Sequence, residues 1–340
     1  MKQLGYAVLF LMLVIVLIPF VLVRGCSQKD YIDDEVVPRE TPVQEVQNTI
    51  NVYVAEKDEV VRMDFNEYLK GVVAAEMPAS FHPEALKAQA VAARTYVYHR
   101  LKNYDKDPGS KPAEHKGGDI CTDPTHCKAW ISKKDAMNKW GIFSANKYWS
   151  KISAAVDETA NYIITYQEEP IDAVFHSTSS GRTENSEEVW ANAIPYLRSV
   201  ESEGEELSPK YISESDITLE EFKEKLINAK PGVKFTGDPG TYIEKIEKTE
   251  GGSVKTIRIG GCDFKGTEIR KIFELNSANF TIEIDSKKGK VTFHVKGNGH
   301  GVGMSQYGAN YLAEQGKTFE EILKHYYKGV EIVKIDSFEN

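Results

Sequence analysis

Four short stretches of this 340-residue chain carry side chains whose types and spacing suit chemistry. In Ala74-Ala75-Glu76-Met77-Pro78 a carboxylate closes an apolar helical run, and the proline fixes the chain just after it. Burial and a helix's negative end both disfavour the ionised carboxyl, so Glu76 is expected to hold a proton near neutral pH, as a general acid must. Read alone, the pentapeptide better suits a surface glutamate at a frayed helix end. Residues 175–184 (FHSTSSGRTE) run off a predicted strand and carry His176, Ser177, Ser179, Arg182 and Glu184, hydrogen-bonding groups able to line a sugar groove. The plainer reading is a Ser/Thr-rich turn. Residues 297–308 (GNGHGVGMSQYG) set glycines at alternate positions, which lets backbone approach a ligand closely, beside His300, Ser305, Gln306 and Tyr307 as a binding edge. The Lys-Ser/Thr ending of a phosphate-cradling loop is missing. A serine nucleophile served by His176 or His300 is conceivable, but the G-x-S-x-G elbow is absent.

The fourth stretch places His115, Cys121, His126 and Cys127 within thirteen residues. Two imidazoles and two thiols are what a closed, structural tetrahedral zinc site takes. A Cys121–Cys127 disulfide competes with it, since disulfides are natural outside the membrane.

Positioning these groups requires helices and strands in no regular βαβ rhythm, so the expected class is α+β, two-lobed, with a substrate groove. Residues 50–56 (INVYVAE) and 60–65 (VVRMDF) read as strands, and 66–76 as a helix that ends before Pro78. Pro83 opens a second, Ala-rich helix, and a third is expected from Ser132 to about Lys147. NYIITYQ, IDAVFHS, TYIEKIEK, SVKTIRIG, NFTIEID and KVTFHVKG read as strands. The charged helix TLEEFKEKLINA among them belongs to an appended lobe, and Thr318 with Glu321 forms a capping box for a last helix.

Composition is that of a globular chain, 41% apolar and 27% charged, with a net charge of −9 that argues against a nucleic-acid partner. Four cysteines are too few for a disulfide scaffold. Residues 4–23 contain no charge, and at 1.5 Å per residue they span about 30 Å, the thickness of a bilayer's hydrocarbon core. The expected plan is a short cytoplasmic N-terminus (1–3), an uncleaved membrane anchor (4–23), an acidic linker (24–49) and an extracytoplasmic catalytic domain (50–335). Cys26 raises a lipoprotein as the competing reading, but Arg24 fits a lipobox poorly.

Residues 69–78 (LKGVVAAEMP) and 82–96 (HPEALKAQAVAARTY), followed by the FHSTSSGRTE and GNGHGVGMSQYG segments, resemble the stage II sporulation protein D family. The resemblance covers about residues 50–330. It implies a lytic transglycosylase that cleaves the MurNAc–GlcNAc β-1,4 bond of peptide-stripped peptidoglycan strands and leaves a 1,6-anhydro end. Glu76 corresponds to the family's catalytic glutamate. Arg94 and Tyr96 then join the substrate-binding residues, with Glu184 a candidate helper. The setting implied is forespore engulfment, on the mother-cell side of the engulfing cell membrane, with stage II sporulation proteins P and M as partners. No organic cofactor is implied, and the zinc loop is not among the matching segments. Proteins called amidase enhancers share the domain, so a non-enzymatic, glycan-binding enhancer of a cell-wall amidase is the alternative.

Overall fold

The computed structural model describes residues 49–335, and the anchor, the linker up to residue 48 and the cytoplasmic N-terminus expected from the sequence lie outside them. Among the described residues no helix is long and apolar enough to cross a membrane. The class is α+β, as expected.

Strands Thr49–Val54 and Glu59–Asp64 form an antiparallel hairpin in which Ile50, Val52 and Val54 alternate into the core. Asp64 then caps helix α1 (Phe65–Glu76) by accepting from the Glu67 N–H. The helix stops where Met77 turns extended ahead of Pro78. Helix α2 (Pro83–Lys106) starts on its proline, with the His82 ring accepting from the Glu84 N–H. Helix α3 (Lys133–Glu158) is capped by Ser132 and runs well past Lys147. It is broken at Gly141, whose φ of 70° and ψ of 167° leave the helical region. The small side chains Ala85, Ala88, Ala90, Ala92 and Ala93 let α2 lie close against α1 and α3 and form the centre of the first core.

A second core is separate. It is built by helix α4 (Leu219–Ala229), helix α5 (Gly266–Ile272) and two three-stranded antiparallel sheets. Lys290–Lys296 is central in one sheet, and Val254–Ile259 is central in the other. Leu219, Phe222 and Leu226 sit on one face of α4 and fill this core, so the charged helix belongs to the second core. The chain returns to the first core through helix α6 (Gln306–Glu314) and helix α7 (Phe319–Tyr326), both packed on α2. The Thr318–Glu321 capping box is present.

One expected strand is corrected. Of IDAVFHS only Phe175–His176 is strand, paired in parallel with Met304–Ser305. Upstream, the Asp172 N–H donates to the Tyr196 hydroxyl (3.0 Å) and the Val174 N–H to the Asp172 carbonyl, which takes the segment off the ladder.

Candidate active site

Glu76 ends α1 beside the start of α6 and the loop leading into α3. The Ala129 N–H donates to its Oε1 at 2.8 Å, and the Gln306 side chain hydrogen-bonds it as well. Burial raises the carboxyl above its ordinary value, and this outweighs the opposing pull of Lys128 and of these hydrogen bonds. Lys128 lies 4.0 Å from the Phe175 ring centroid and 4.4 Å from that of Tyr96, and burial draws its ammonium down.

Two cavities meet at Glu76. One, of about 420 Å³, is lined by Trp140, Tyr148, Tyr307, Ser177, Lys139 and Lys210 among others. The second, of about 610 Å³, is lined by Tyr96, Arg100, Lys128, Asp172, Trp190 and His300 along with the loop carrying Cys127. Glu76, Tyr96, Ser177, His300, Gln306 and Tyr307 therefore face these cavities, as a substrate-binding role requires.

Other expected binding residues do structural work instead. Arg94, 2% exposed, donates to the carbonyls of Thr159 (2.7 Å) and Val156 (3.2 Å) at the C-terminal end of α3. Its guanidinium adds to the Tyr162 N–H on the Thr159 carbonyl and the Thr159 hydroxyl on that of Val156, serving the helix's partly negative end, and it lines neither cavity, which places it away from the candidate site. Buried Glu184 accepts from the Thr249 hydroxyl (3.0 Å) and the Ser253 N–H (3.1 Å), tying its segment to a loop of the second unit. Arg182 pairs at the surface with Glu201 and Glu250. Ser305 caps α6, and Ser179 hydrogen-bonds Glu205.

The serine-hydrolase reading finds no catalytic pair. Ser177 Oγ meets the Thr178 hydroxyl at 3.1 Å. His176 Nδ1 donates to the Val302 carbonyl, and His300 Nε2 donates to the Phe175 carbonyl while its Nδ1 accepts from the Val302 N–H. Burial pulls His176 down to about 4 and His300 well below its ordinary value, so both rings are neutral.

The alternate glycines have a different use from the one expected. Gly297, Gly299, Gly301 and Gly303 all have positive φ, between 72° and 120°. A Cβ on Gly299 would stand 2.7 Å from His176 Cβ, and one on Gly297 would stand 3.0 Å from the Thr178 carbonyl oxygen. The close approach is to the FHSTSSGRTE segment, with the Thr178 and Asn298 backbones exchanging hydrogen bonds and the Glu184 N–H donating to Gly301. The two glycine- and serine-rich stretches thus interlock and present Ser177, Asn298 and Tyr307 at the smaller cavity.

Glu205 escaped the sequence reading, because ESEGEEL has the look of a solvated acidic turn. It is 1% exposed and accepts from the Ser179 N–H (3.0 Å), the Ser179 hydroxyl (2.8 Å) and the Ser202 hydroxyl (2.5 Å). Removing the carboxylate strands several buried donors. Glu205→Ala is expected to cost about 2–4 kcal/mol in urea unfolding. A change under about 0.5 kcal/mol would show that Glu205 does not hold this loop.

His115, Cys121, His126 and Cys127 come together, with one ligating atom from each lying within 4.8 Å of the others. His115 Nε2 is 3.2 Å from Cys127 Sγ, and His126 Nδ1 is 3.4 Å from Cys121 Sγ and 3.6 Å from Cys127 Sγ. Zinc–ligand bonds of about 2.0–2.3 Å imply tetrahedron edges of about 3.3–3.8 Å, so the donor set fits a zinc ion. Both cysteines are free thiols. The hydrogen bond between them draws Cys127 down to about 7 and, together with burial, pushes Cys121 up to about 11.

The candidate site on this α+β scaffold is thus a buried acid, Glu76, where two cavities with polar and aromatic lining meet. Residues 53–166 match the family model described as Stage II sporulation protein. The chain is 42% identical over 300 residues to Stage II sporulation protein D of Bacillus amyloliquefaciens, covering 88% of this chain and 81% of that protein. To Stage II sporulation protein D of Bacillus subtilis it is 42% identical over 293 residues, covering 86% and 81%. An Amidase enhancer of Bacillus subtilis is 29% identical over 312 residues, which covers 77% of this chain but 39% of that protein. The chain belongs to the stage II sporulation protein D family.

Proposed function

We propose that this protein is a membrane-anchored lytic transglycosylase acting on peptidoglycan strands from which the peptides have been removed. The observation that carries the reading is Glu76, whose carboxyl burial raises above its ordinary value where two cavities meet. A glycan strand laid through both cavities places one glycosidic oxygen at this carboxyl. The acid protonates the leaving oxygen. The resulting carboxylate takes the proton of the C6 hydroxyl as that oxygen closes on the anomeric carbon, so no water is consumed. Trp140, Tyr148 and Tyr307 offer faces for sugar rings. Lys128, Arg100, Lys139 and Lys210 suit the lactyl carboxylates that peptide removal leaves free.

Residues 4–23 hold the domain at the cell membrane in this reading, outside the cytoplasm, on the mother-cell side during engulfment. Stage II sporulation proteins P and M are the proposed partners. A structural zinc ion on His115, Cys121, His126 and Cys127 fixes the loop that delivers Ala129 and Lys128 to the site.

The similarity to an Amidase enhancer supports a second reading, a glycan-binding activator that cleaves nothing itself. Incubating the protein with purified peptide-stripped strands separates the two by mass spectrometry. Anhydro ends, one water lighter than hydrolysed ends, are expected from the wild type. Strands of unchanged length would leave the activator reading standing and remove the enzyme.

A further inference from the structure

The break in α3 exposes an apolar tip that neither the core nor the site uses. Ile142 is 83% exposed and Phe143 is 97% exposed, immediately after Gly141. Helices end their apolar stripes in a core, so two adjacent large hydrophobics in full solvent need another explanation. The charge around them is equally uneven. From Lys133 to Lys147 the chain has four lysines and one acid, Asp135, on a protein whose net charge is −9. Asp135 is engaged at the helix start with Ser132. Lys133, Lys134, Lys139 and Lys147 are exposed and enter no ion pair among the described residues. Lys147 lies four residues beyond Phe143, on the same helical face.

We infer that this tip is a membrane-docking element, with Ile142 and Phe143 entering the headgroup–acyl boundary of a bilayer and the surrounding lysines meeting anionic lipid headgroups. Projecting apolar side chains within a ring of cations are what interfacial insertion requires, and the cations make it selective for anionic lipid. A soluble polyanion would use the lysines but leave Ile142 and Phe143 in water. A second copy of this chain meeting the same face across a two-fold axis would set lysines against lysines. The uncharged residues 4–23 make a bilayer the surface at hand. Lys139 and Trp140 line the smaller cavity, so docking here turns the mouth of the site toward the membrane-proximal layer of its substrate.

The test uses the full chain in vesicles carrying a diazirine-tailed lipid, with photolysis followed by tryptic mass spectrometry. Cleavage after Lys139 and Lys147 isolates residues 140–147 as one peptide, while residues 3–24 form another. In vesicles containing phosphatidylglycerol, lipid adducts are expected on both peptides. In pure phosphatidylcholine the adduct on 140–147 should fall at least about fivefold while that on 3–24 persists. The double substitution Ile142→Ser, Phe143→Ser should remove the 140–147 adduct and leave the melting curve in place, since both side chains are exposed. Adducts confined to 3–24, or equal on 140–147 in the two vesicle types or in the double variant, would overturn the proposal. So would chain-to-chain crosslinks through 140–147 with no lipid adduct there. The readout is independent of strand cleavage.

Discussion

Glu76→Gln will lower kcat/KM for strand cleavage by about 10³–10⁴-fold while leaving the fold and glycan binding in place. General acid–base catalysis by one group contributes about 10²–10⁴-fold, and in the proposed mechanism a single carboxyl serves both proton transfers, which puts the loss at the upper end. Glutamine keeps an oxygen for the Ala129 N–H, so the local hydrogen bond survives. Equal release of anhydro ends by wild type and variant would remove Glu76 from the chemistry.

The same residue ties activity to pH and to stability. Because burial raises Glu76, kcat/KM should decline as pH climbs through its folded value, where the acid is lost. Between the ordinary carboxyl range and that raised value, the folded protein holds a proton that the unfolded chain has released. Folding stability is therefore full below the unfolded value and falls as pH rises through the folded one. Glutamine cannot ionise. The variant's Tm should exceed the wild type's at neutral pH, and the margin should close at about pH 4 and below. A variant less stable than wild type at every pH would contradict a buried, strained acid at this position.

Much of this site was legible because its signals are local. Pro78 closing α1, Pro83 opening α2 and the Thr318–Glu321 capping box act within one helical turn, and each appears where expected. Glu76 was legible for the same reason, being defined by its helix and the proline beyond it. What was missed depends on distant partners. Arg94 has the chemistry of an anion binder, yet its fate is decided by carbonyls 62 and 65 residues away. The strand Ile212–Thr218 (ISESDIT) has a weak apolar pattern and exists because it pairs with Lys290–Lys296. Lys128 and Asp172 reach the larger cavity from segments with no shared pattern. The glycine loop shows the reverse case: its positive φ angles follow from residue type, but whether such backbone faces a ligand or another strand is a tertiary matter.

The second large effect concerns the loop that joins α2 to α3. Between Lys106 and Lys133 it has short 3-10 turns and the two-residue strand Ile120–Cys121, laid parallel to the first strand of the N-terminal hairpin. Its buried side chains include His115, Cys121 and Cys127, three of the four clustered metal-type donors, so the loop contributes little apolar core of its own. The zinc ion proposed there would replace the missing core, and its binding energy would become folding energy. The loop in turn fixes the Ala129 N–H on Glu76 and places Lys128 between two aromatic rings. Cys127→Ser should therefore abolish zinc binding, lower Tm by about 10 °C and cut strand cleavage by about 10–100-fold. Element analysis should find one zinc per wild-type chain, and a strong chelator should reproduce the variant's loss until zinc is restored. The disulfide predicts a different set of results: no metal, a mass two hydrogens below the reduced chain, and a Tm lowered by reductant but unmoved by chelator. Because the loop brings the Ala129 N–H and the Lys128 charge to Glu76, metal loss should shift the pH profile of cleavage as well as its height. A cavity-forming core mutation that destabilises equally, such as Phe293→Ala in the second core, should leave that profile where it was.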